Sequence, residues 1–166
     1  LMSIAIGLGQ GFQPVCGINY GAGNVKRVKL AYRFLLKVST SVMTAAGLLV
    51  FIFAPQIVRV FRDDVAVIAV GALAIRLQAC VLPFHSVIFG TNMLLQVAGE
   101  KKSASFLSSM RQGLLFIPCI FILPHVVRFF GAEAILGVQM TQMVCDFLAA
   151  LFAVPFTVRF FKKLLI

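Results

Sequence analysis

The residue best placed to do chemistry in this chain of 166 residues is Asp146, an acid inside an apolar stretch. Gln142 and Gln139 precede it by four and seven residues, so the three side chains share one helical face. A charge in an apolar medium is costly, so Asp146 must be paired, be protonated or face water. Two interpretations remain open: Asp146 exchanges a proton or cation, or it is a structural acid that hydrogen-bonds polar neighbours.

A second group of polar side chains follows helical spacing earlier in the chain. His85 precedes Asn92 by seven residues, and Gln96 follows Asn92 by four, which predicts a polar stripe facing a cleft. For His85 itself two interpretations remain open: a proton relay within the span, or a hydrogen-bonded packing residue. Arg76 binds an anionic group, pairs with an acid, or faces lipid headgroups at the membrane boundary.

The first apolar stretch carries three amides, Gln10, Gln13 and Asn19, among glycines at GxxxG spacing. Such spacing lets helices approach closely, and the amides must be satisfied inside a bundle or face a cavity. We keep two interpretations: tight packing with local hydrogen bonds, or a polar pathway that these three side chains line.

The composition indicates the medium in which these side chains lie. Hydrophobic residues make up 61% of the chain, charged residues make up 12%, and the mean hydropathy is +1.03. A soluble domain of this length could not bury so much apolar surface, and a disordered chain would carry more charge. The sequence therefore predicts an integral membrane protein with bound lipids, and the net charge of +10 indicates membrane orientation, not nucleic-acid binding.

Five apolar blocks are long enough to cross a bilayer as helices. They cover about residues 1–20, 34–58, 66–97, 105–127 and 134–158. We therefore expect residues 1–166 to form an all-α polytopic membrane bundle of about five transmembrane helices.

The basic residues predict the orientation of this bundle. Eleven of the fifteen Lys and Arg fall on one side, if Lys37 and Arg111 extend to that edge. Three fall on the opposite side, in the connections at residues 55–65 and 124–133, and Arg76 is counted on neither side. Short loops rich in Lys and Arg stay in the cytoplasm, so the C-terminus is predicted to be inside.

Metal and enzyme chemistry have little support in the sequence. The four cysteines lie in separate apolar segments without a CxxC pair, and no HExxH motif occurs. We therefore expect no metal site, no catalytic residues and no cofactor.

Several motifs resemble those of the multidrug and toxic compound extrusion (MATE) transporters. The stretch Gln10-Gly11-Phe12-Gln13-Pro14 to Asn19-Tyr20-Gly21-Ala22 is similar to the pattern in the eighth helix of that family and the loop after it. The similarity continues through the chain at Arg27-Val28, Pro55, Phe61-Arg62-Asp63-Asp64, Arg76, Pro83, Gln96-Val97-Ala98-Gly99-Glu100-Lys101, Arg111-Gln112, Pro118 and Asp146.

The resemblance implies a fold and an activity. It implies twelve helices in two lobes, of which this chain would supply helices eight to twelve, within the second lobe. It also implies export of organic, often cationic, drugs across a bacterial or archaeal cytoplasmic membrane, coupled to entry of H⁺ or Na⁺. The chain begins inside an apolar stretch at Leu1, so we expect the N-terminal lobe to belong to the same protein.

Two alternatives remain. One is a lipid or polysaccharide flippase of related fold, and the other is a membrane accessory fragment without transport activity. Under the transport interpretation, the candidates for the substrate or ion pathway are Gln10, Gln13, Asn19, Arg76, His85, Asn92, Gln96, Gln142 and Asp146.

Overall fold

The structure is a computed structural model that describes residues 2–131 and 134–164, and only the backbone at residues 2, 112 and 134. Leu1 and Glu133, which the sequence analysis used for the chain start and the last connection, lie outside these residues. The described chain is helical and contains no strand. Its helices are α1 (Met2–Gly21), α2 (Val25–Ile52), α3 (Ala54–Phe61), α4 (Val65–Val97), α5 (Lys101–Ser109), α6 (Phe116–Phe129) and α7 (Ala134–Lys163), with a π-helical turn at Met110–Leu114.

The all-α membrane architecture predicted from the sequence is confirmed. Among the described residues, three helical segments are long and apolar enough to cross a membrane, namely Val25–Ile52, Val65–Val97 and Ile135–Lys163. The helix Phe116–Phe129 is apolar but shorter. The fourth predicted block is therefore a composite of α5, the π-helical turn and α6.

Proline explains why the second predicted block divides into two helices. The block was expected to continue to about Val58, whereas α2 ends at Ile52 and α3 begins at Ala54. Pro55 lies in the first turn of α3, where its missing N–H removes no helical hydrogen bond. A proline inside a continuous helix costs a hydrogen bond and crowds the preceding turn; α4 bears this cost at Pro83, whereas the break before Ala54 avoids it at Pro55.

The π-helical turn has a comparable local cause. The N–H of Leu115 donates to the carbonyl of Met110, five residues earlier, at 2.9 Å. Pro118 follows closely and has no N–H for the carbonyl four residues before it. The turn therefore accommodates one extra residue just before α6 begins.

Helix α4 is the central helix, because it packs against α1, α2, α3, α5 and α7. The largest buried cluster joins α1, α2, α4, α5 and α7, and Cys16, Val28, Leu94 and Leu107 in it are fully buried. Many large apolar side chains elsewhere remain exposed, as expected for helices solvated by lipid.

A backbone carbonyl within α4 has lost its usual partner. Pro83 lies inside α4 without ending it, and has no N–H to donate to the carbonyl of Ala79. The oxygen of that carbonyl faces α2, where a methyl group at Gly47 would lie 3.1 Å away. Gly47 therefore permits close approach of α2 to α4.

Three connections meet at one end of the bundle, which we call the basic end. It contains the turn from α1 to α2, the turn from α4 to α5, and the end of α7. There the Lys163 ammonium donates to Glu100 Oε1 at 2.8 Å, and the rings of Tyr20 and Phe160 stack at 6.0 Å.

Candidate functional site

Asp146 lies at the centre of a polar cluster inside the bundle. Its side chain is fully buried, although it stands in an apolar stretch of α7. Nitrogen atoms from α4, α7 and the π-helical turn surround the carboxylate. Gln142, one turn earlier on α7, donates to Oδ1 at 3.1 Å, and Gln78 of α4 donates to Oδ2 at 3.2 Å. We call Gln78, His85, Arg111, Gln142 and Asp146 the Asp146 cluster.

The shortest contact in the cluster comes from Arg111 in the π-helical turn. Its Nε donates to Asp146 Oδ1 at 2.6 Å, and its side chain is 11% exposed. Its guanidinium also lies over the ring of Phe89, 5.5 Å from the centroid. The expectation that Arg111 extends to the cytoplasmic edge is therefore wrong, because its side chain turns into the bundle and pairs with the buried carboxylate.

His85 of α4 faces a hydrogen-bond acceptor at each ring nitrogen. Nδ1 lies 3.0 Å from the carbonyl oxygen of Val81, and Nε2 lies 3.3 Å from Asp146 Oδ2. The Nε2 contact lacks the alignment of a hydrogen bond, and the ring is fully buried. A neutral imidazole has only one N–H, so it can donate to only one of these acceptors. An additional proton on the ring would give each acceptor a donor.

A second polar chain runs from α1 through α4 to α5. Gln13 donates to Gln96 Oε1 at 3.4 Å, and Gln96 donates to Asn92. Asn92 is buried and donates to the carbonyl of Ala104 at 3.0 Å and to Ser108 Oγ at 2.6 Å. Asn92 and Gln96 therefore belong together, whereas His85 on the same helix contacts a different group of side chains.

Three hydroxyl groups form a further buried contact that the sequence analysis missed. Tyr32 Oη lies 3.0 Å from Thr91 Oγ1 and 3.2 Å from Thr157 Oγ1, and the two threonine oxygens are 2.7 Å apart. These residues come from α2, α4 and α7. No spacing rule relates residues on three different helices, so the sequence contains no signal for this group.

The remaining candidates from the sequence lie outside the Asp146 cluster and outside the polar chain that contains Asn92. Arg76 donates to the carbonyl of Phe51 at 3.4 Å and lies over the ring of Phe51 at 5.4 Å. The Asn19 amide donates to the carbonyl of Val15 in its own helix at 2.8 Å, and Gln10 is exposed. A role for these three residues in a transport pathway remains a prediction.

A large open groove separates α1 from α2, and we call it the α1–α2 groove. Its volume is about 960 Å³, within the range of small-molecule sites. Its lining is mostly apolar and includes Leu8, Phe12 and Phe34. Three cations of α2 also line it, namely Arg27, Arg33 and Lys37, and no acid does.

Across residues 2–131 and 134–164, no group of three or more His, Cys, Asp or Glu side chains is arranged to hold a metal ion. The Asp146 cluster contains one carboxylate, which nitrogen atoms of neighbouring side chains contact by ion pairing and hydrogen bonding.

Comparisons with known proteins agree with this architecture. The MatE family model matches residues 1–122. No curated protein matches the chain.

Solved structures resemble the chain over nearly its whole length. An inward-facing conformation of a multidrug resistance MATE family transporter of the MOP superfamily gives a TM-score of 0.87 at 20% identity, over 96% of this chain and 36% of that one. An outward-facing conformation of such a transporter gives 0.83 at 21% identity, over 96% and 34%. The MATE transporter ClbM in complex with Rb⁺ gives 0.82 at 25% identity, over 96% and 37%. The chain thus spans about a third of the length of these proteins.

Proposed function

Because the chain belongs to the MatE family of transporters, we propose that it forms part of a secondary active antiporter. In this proposal the full-length protein exports organic, often cationic, drugs across the cytoplasmic membrane in exchange for entering protons. We choose the proton over Na⁺ as the coupling ion on one observation: both ring nitrogens of His85 face hydrogen-bond acceptors.

The geometry of the cluster favours a proton over Na⁺. Arg111, Gln142 and Gln78 direct N–H donors at the oxygens of Asp146, so a metal cation would meet positive hydrogen atoms there. A proton needs only one lone pair, on His85 Nε2 or on Asp146. The cluster can accept it without any side chain leaving.

The structure also suggests how a proton would affect the helices. With no hydrogen on Nε2, His85 donates nothing to Asp146, and Arg111 and the two glutamines supply the donors to the carboxylate. A proton between His85 and Asp146 would redistribute the negative charge that now holds Arg111. Because Arg111 lies in the π-helical turn, this change would act directly on the junction of α5 and α6.

The similarity to both inward-facing and outward-facing transporters supports movement of these helices largely as one body. In such folds, alternating access arises from rocking of one helical bundle against another. The hydrogen bonds from Gln13 to Gln96 and from Gln96 to Asn92 join α1 to α4 within this body, and the three residues remain candidates for the substrate or ion pathway. Gln10, Asn19, His85, Gln142 and Asp146 remain further candidates for the substrate or ion pathway, whereas the contacts of Arg76 with Phe51 favour a packing role for that residue.

The experiment uses the full-length protein in proteoliposomes with a fluorescent organic cation such as ethidium. An imposed pH gradient is expected to drive dye accumulation, and a Na⁺ gradient of equal size is not. His85→Gln is expected to abolish the effect of the pH gradient while dye binding persists. Failure of both gradients to move the dye would refute the transport proposal.

His125 offers a matched control. Its Nδ1 also lies close to the carbonyl four residues earlier, Phe121 O at 2.8 Å, but the side chain is exposed. His125→Gln should therefore leave pH-driven transport unchanged. Equal loss of pH-driven transport in His85→Gln and His125→Gln would show that this transport does not depend on the two-acceptor geometry of His85. Transport driven by a Na⁺ gradient alone would refute proton coupling.

A lipid or polysaccharide flippase is the second candidate, and the cations of the α1–α2 groove favour it. A flippase would move a fluorescent lipid between leaflets, which dithionite quenching of the outer leaflet detects. Dye transport without lipid movement would exclude this alternative.

A further inference from the structure

The α1–α2 groove has the shape of a site for a long apolar group. Val15, Leu30 and Phe34 line it and remain about half exposed or more, at 51%, 70% and 69%. On the α1 side, Gly7 and Gly11 open onto the groove, and a methyl group at either position would contact nothing within 4 Å. The absence of side chains at these two positions therefore leaves space along α1.

The polar part of the groove carries one sign of charge. Its cations are Arg27, Arg33 and Lys37, and its other polar lining residue is Asn19. Within residues 2–131 and 134–164, none of the three cations forms a salt bridge, whereas Arg59, Arg111 and Lys163 do. An organic cation would be repelled by this lining, and an anion would be attracted.

The length of α2 places these cations near the membrane surface. Its 28 residues extend about 42 Å, roughly 12 Å more than the hydrocarbon core. Arg27 lies in its first turn, at the basic end, and Arg33 follows six residues later. Lys37 lies deeper, but a lysine side chain can extend toward the headgroup layer. Basic pockets between transmembrane helices at this depth suit anionic lipid headgroups.

We propose that the α1–α2 groove binds one anionic phospholipid. Its phosphate lies against Arg27, Arg33 and Lys37, and one acyl chain lies along the apolar wall past Gly11 and Phe34. The site differs from the Asp146 cluster in location and chemistry. It does not depend on the proposed transport activity.

The test measures binding of phosphatidylglycerol to the full-length protein in detergent by native mass spectrometry, with phosphatidylcholine of the same acyl chains as reference. Phosphatidylglycerol is expected to bind more tightly. Replacing all three cations by glutamine (Arg27→Gln, Arg33→Gln, Lys37→Gln) should weaken its binding roughly 10- to 100-fold, because each cation contributes separately to attraction of an anionic headgroup.

A control variant removes three other cations at the basic end. Lys101, Lys102 and Lys162 are exposed and lie outside the groove. Their replacement by glutamine removes the same charge and should leave binding within about twofold of the unaltered protein. Equal weakening in both triple variants would show a general effect of surface charge and would refute the site.

A second variant tests the apolar part of the site without changing its charge. Gly11→Leu places a side chain in the groove at a position with free space, so the protein should fold while phosphatidylglycerol binds more weakly. Inorganic phosphate should not compete with the lipid. The proposal would be overturned by unchanged binding in Gly11→Leu or by competition from phosphate. It would also be overturned if the protein bound phosphatidylglycerol no more tightly than phosphatidylcholine, which is the result expected if another part of the protein fills the groove.

Discussion

The Nε of Arg111 donates to Oδ1 of Asp146 at 2.6 Å, and this contact joins the π-helical turn to the middle of α7. The irregular backbone and the buried charge are therefore parts of one arrangement. An extra residue in a helical turn changes the phase of the following helix by about 100°. The contact with α7 thus lies where the phase changes between α5 and α6.

Breaking the Arg111–Asp146 pair from either side should destabilise the protein strongly. Asp146→Asn leaves the buried guanidinium of Arg111 without a negative partner. Arg111→Gln leaves the buried carboxylate of Asp146 without its arginine partner. We expect each to lower the free energy of unfolding by about 3–5 kcal/mol. The double variant should lose clearly less than the sum, because neither unpaired charge remains. Unfolding in detergent, followed by circular dichroism, measures this coupling.

The pair Arg59–Asp63 supplies the control for that cycle. Its atoms lie at a similar distance, 3.0 Å, but its side chains are 68% and 67% exposed. Its coupling should be no more than about 1 kcal/mol. A coupling as small as this for Arg111 and Asp146 would contradict the central role given to their contact.

Close packing between α6 and α7 should make Gly137 intolerant of a side chain. A methyl group at this position would lie 2.6 Å from Pro124 Cα and 2.8 Å from Pro124 N, which are rigid backbone atoms. Gly137→Ala should therefore lower the free energy of unfolding by about 1–3 kcal/mol. Gly7→Ala, where a methyl group contacts nothing, should be neutral or slightly stabilising. Equal effects of the two substitutions would rule out steric crowding as the cause.

The hydroxyl of Tyr32 should contribute measurably to stability. Tyr32→Phe removes its contacts with Thr91 and Thr157 but keeps the ring, which packs against Phe12 and Phe161. We expect a loss of about 0.5–1.5 kcal/mol in thermal or urea unfolding. Tyr20→Phe is the control, because among the described residues the Tyr20 hydroxyl makes no side-chain hydrogen bond. The prediction fails if both substitutions have the same effect.

Arg76 should matter for local packing and little for binding. Its guanidinium contacts the carbonyl and the ring of Phe51, so Arg76→Gln should lose about 0.5–1 kcal/mol of stability. The concentration of dye that gives half-maximal transport should be unchanged. A large increase in that concentration would instead place Arg76 in the substrate pathway, as one sequence interpretation held.

The sequence predicted the membrane class and most helices because these depend on long apolar runs. The predicted ends of the third block, residues 66–97, nearly coincide with those of α4, since Asp64 caps its start and Gly99, with φ of +76°, follows its end. The fourth block was predicted less well. The hydropathy of a segment does not indicate whether its backbone hydrogen bonds span four residues or five, so the π-helical turn was not expected.

The candidate site was predicted only where its residues share one helix. Spacing along α7 correctly grouped Gln142 with Asp146, and the structure shows their hydrogen bond. Spacing also grouped Gln139 with them, but Gln139 donates to the carbonyl of Val70 at 3.2 Å instead. Arg111 and Gln78 reach Asp146 from other helices, and only the packing of those helices determines which side chains meet.

The carbonyl of Ala79 places a condition on the order in which these helices assemble. Surrounded by lipid alone, α4 would present this oxygen to hydrocarbon, because Pro83 supplies no N–H for it. In the folded bundle the oxygen instead faces the backbone of α2 at Gly47. Insertion of α4 is therefore less favourable by itself than beside α2, and a bulky residue at position 47 would interfere with biogenesis of the protein before it affected any later step.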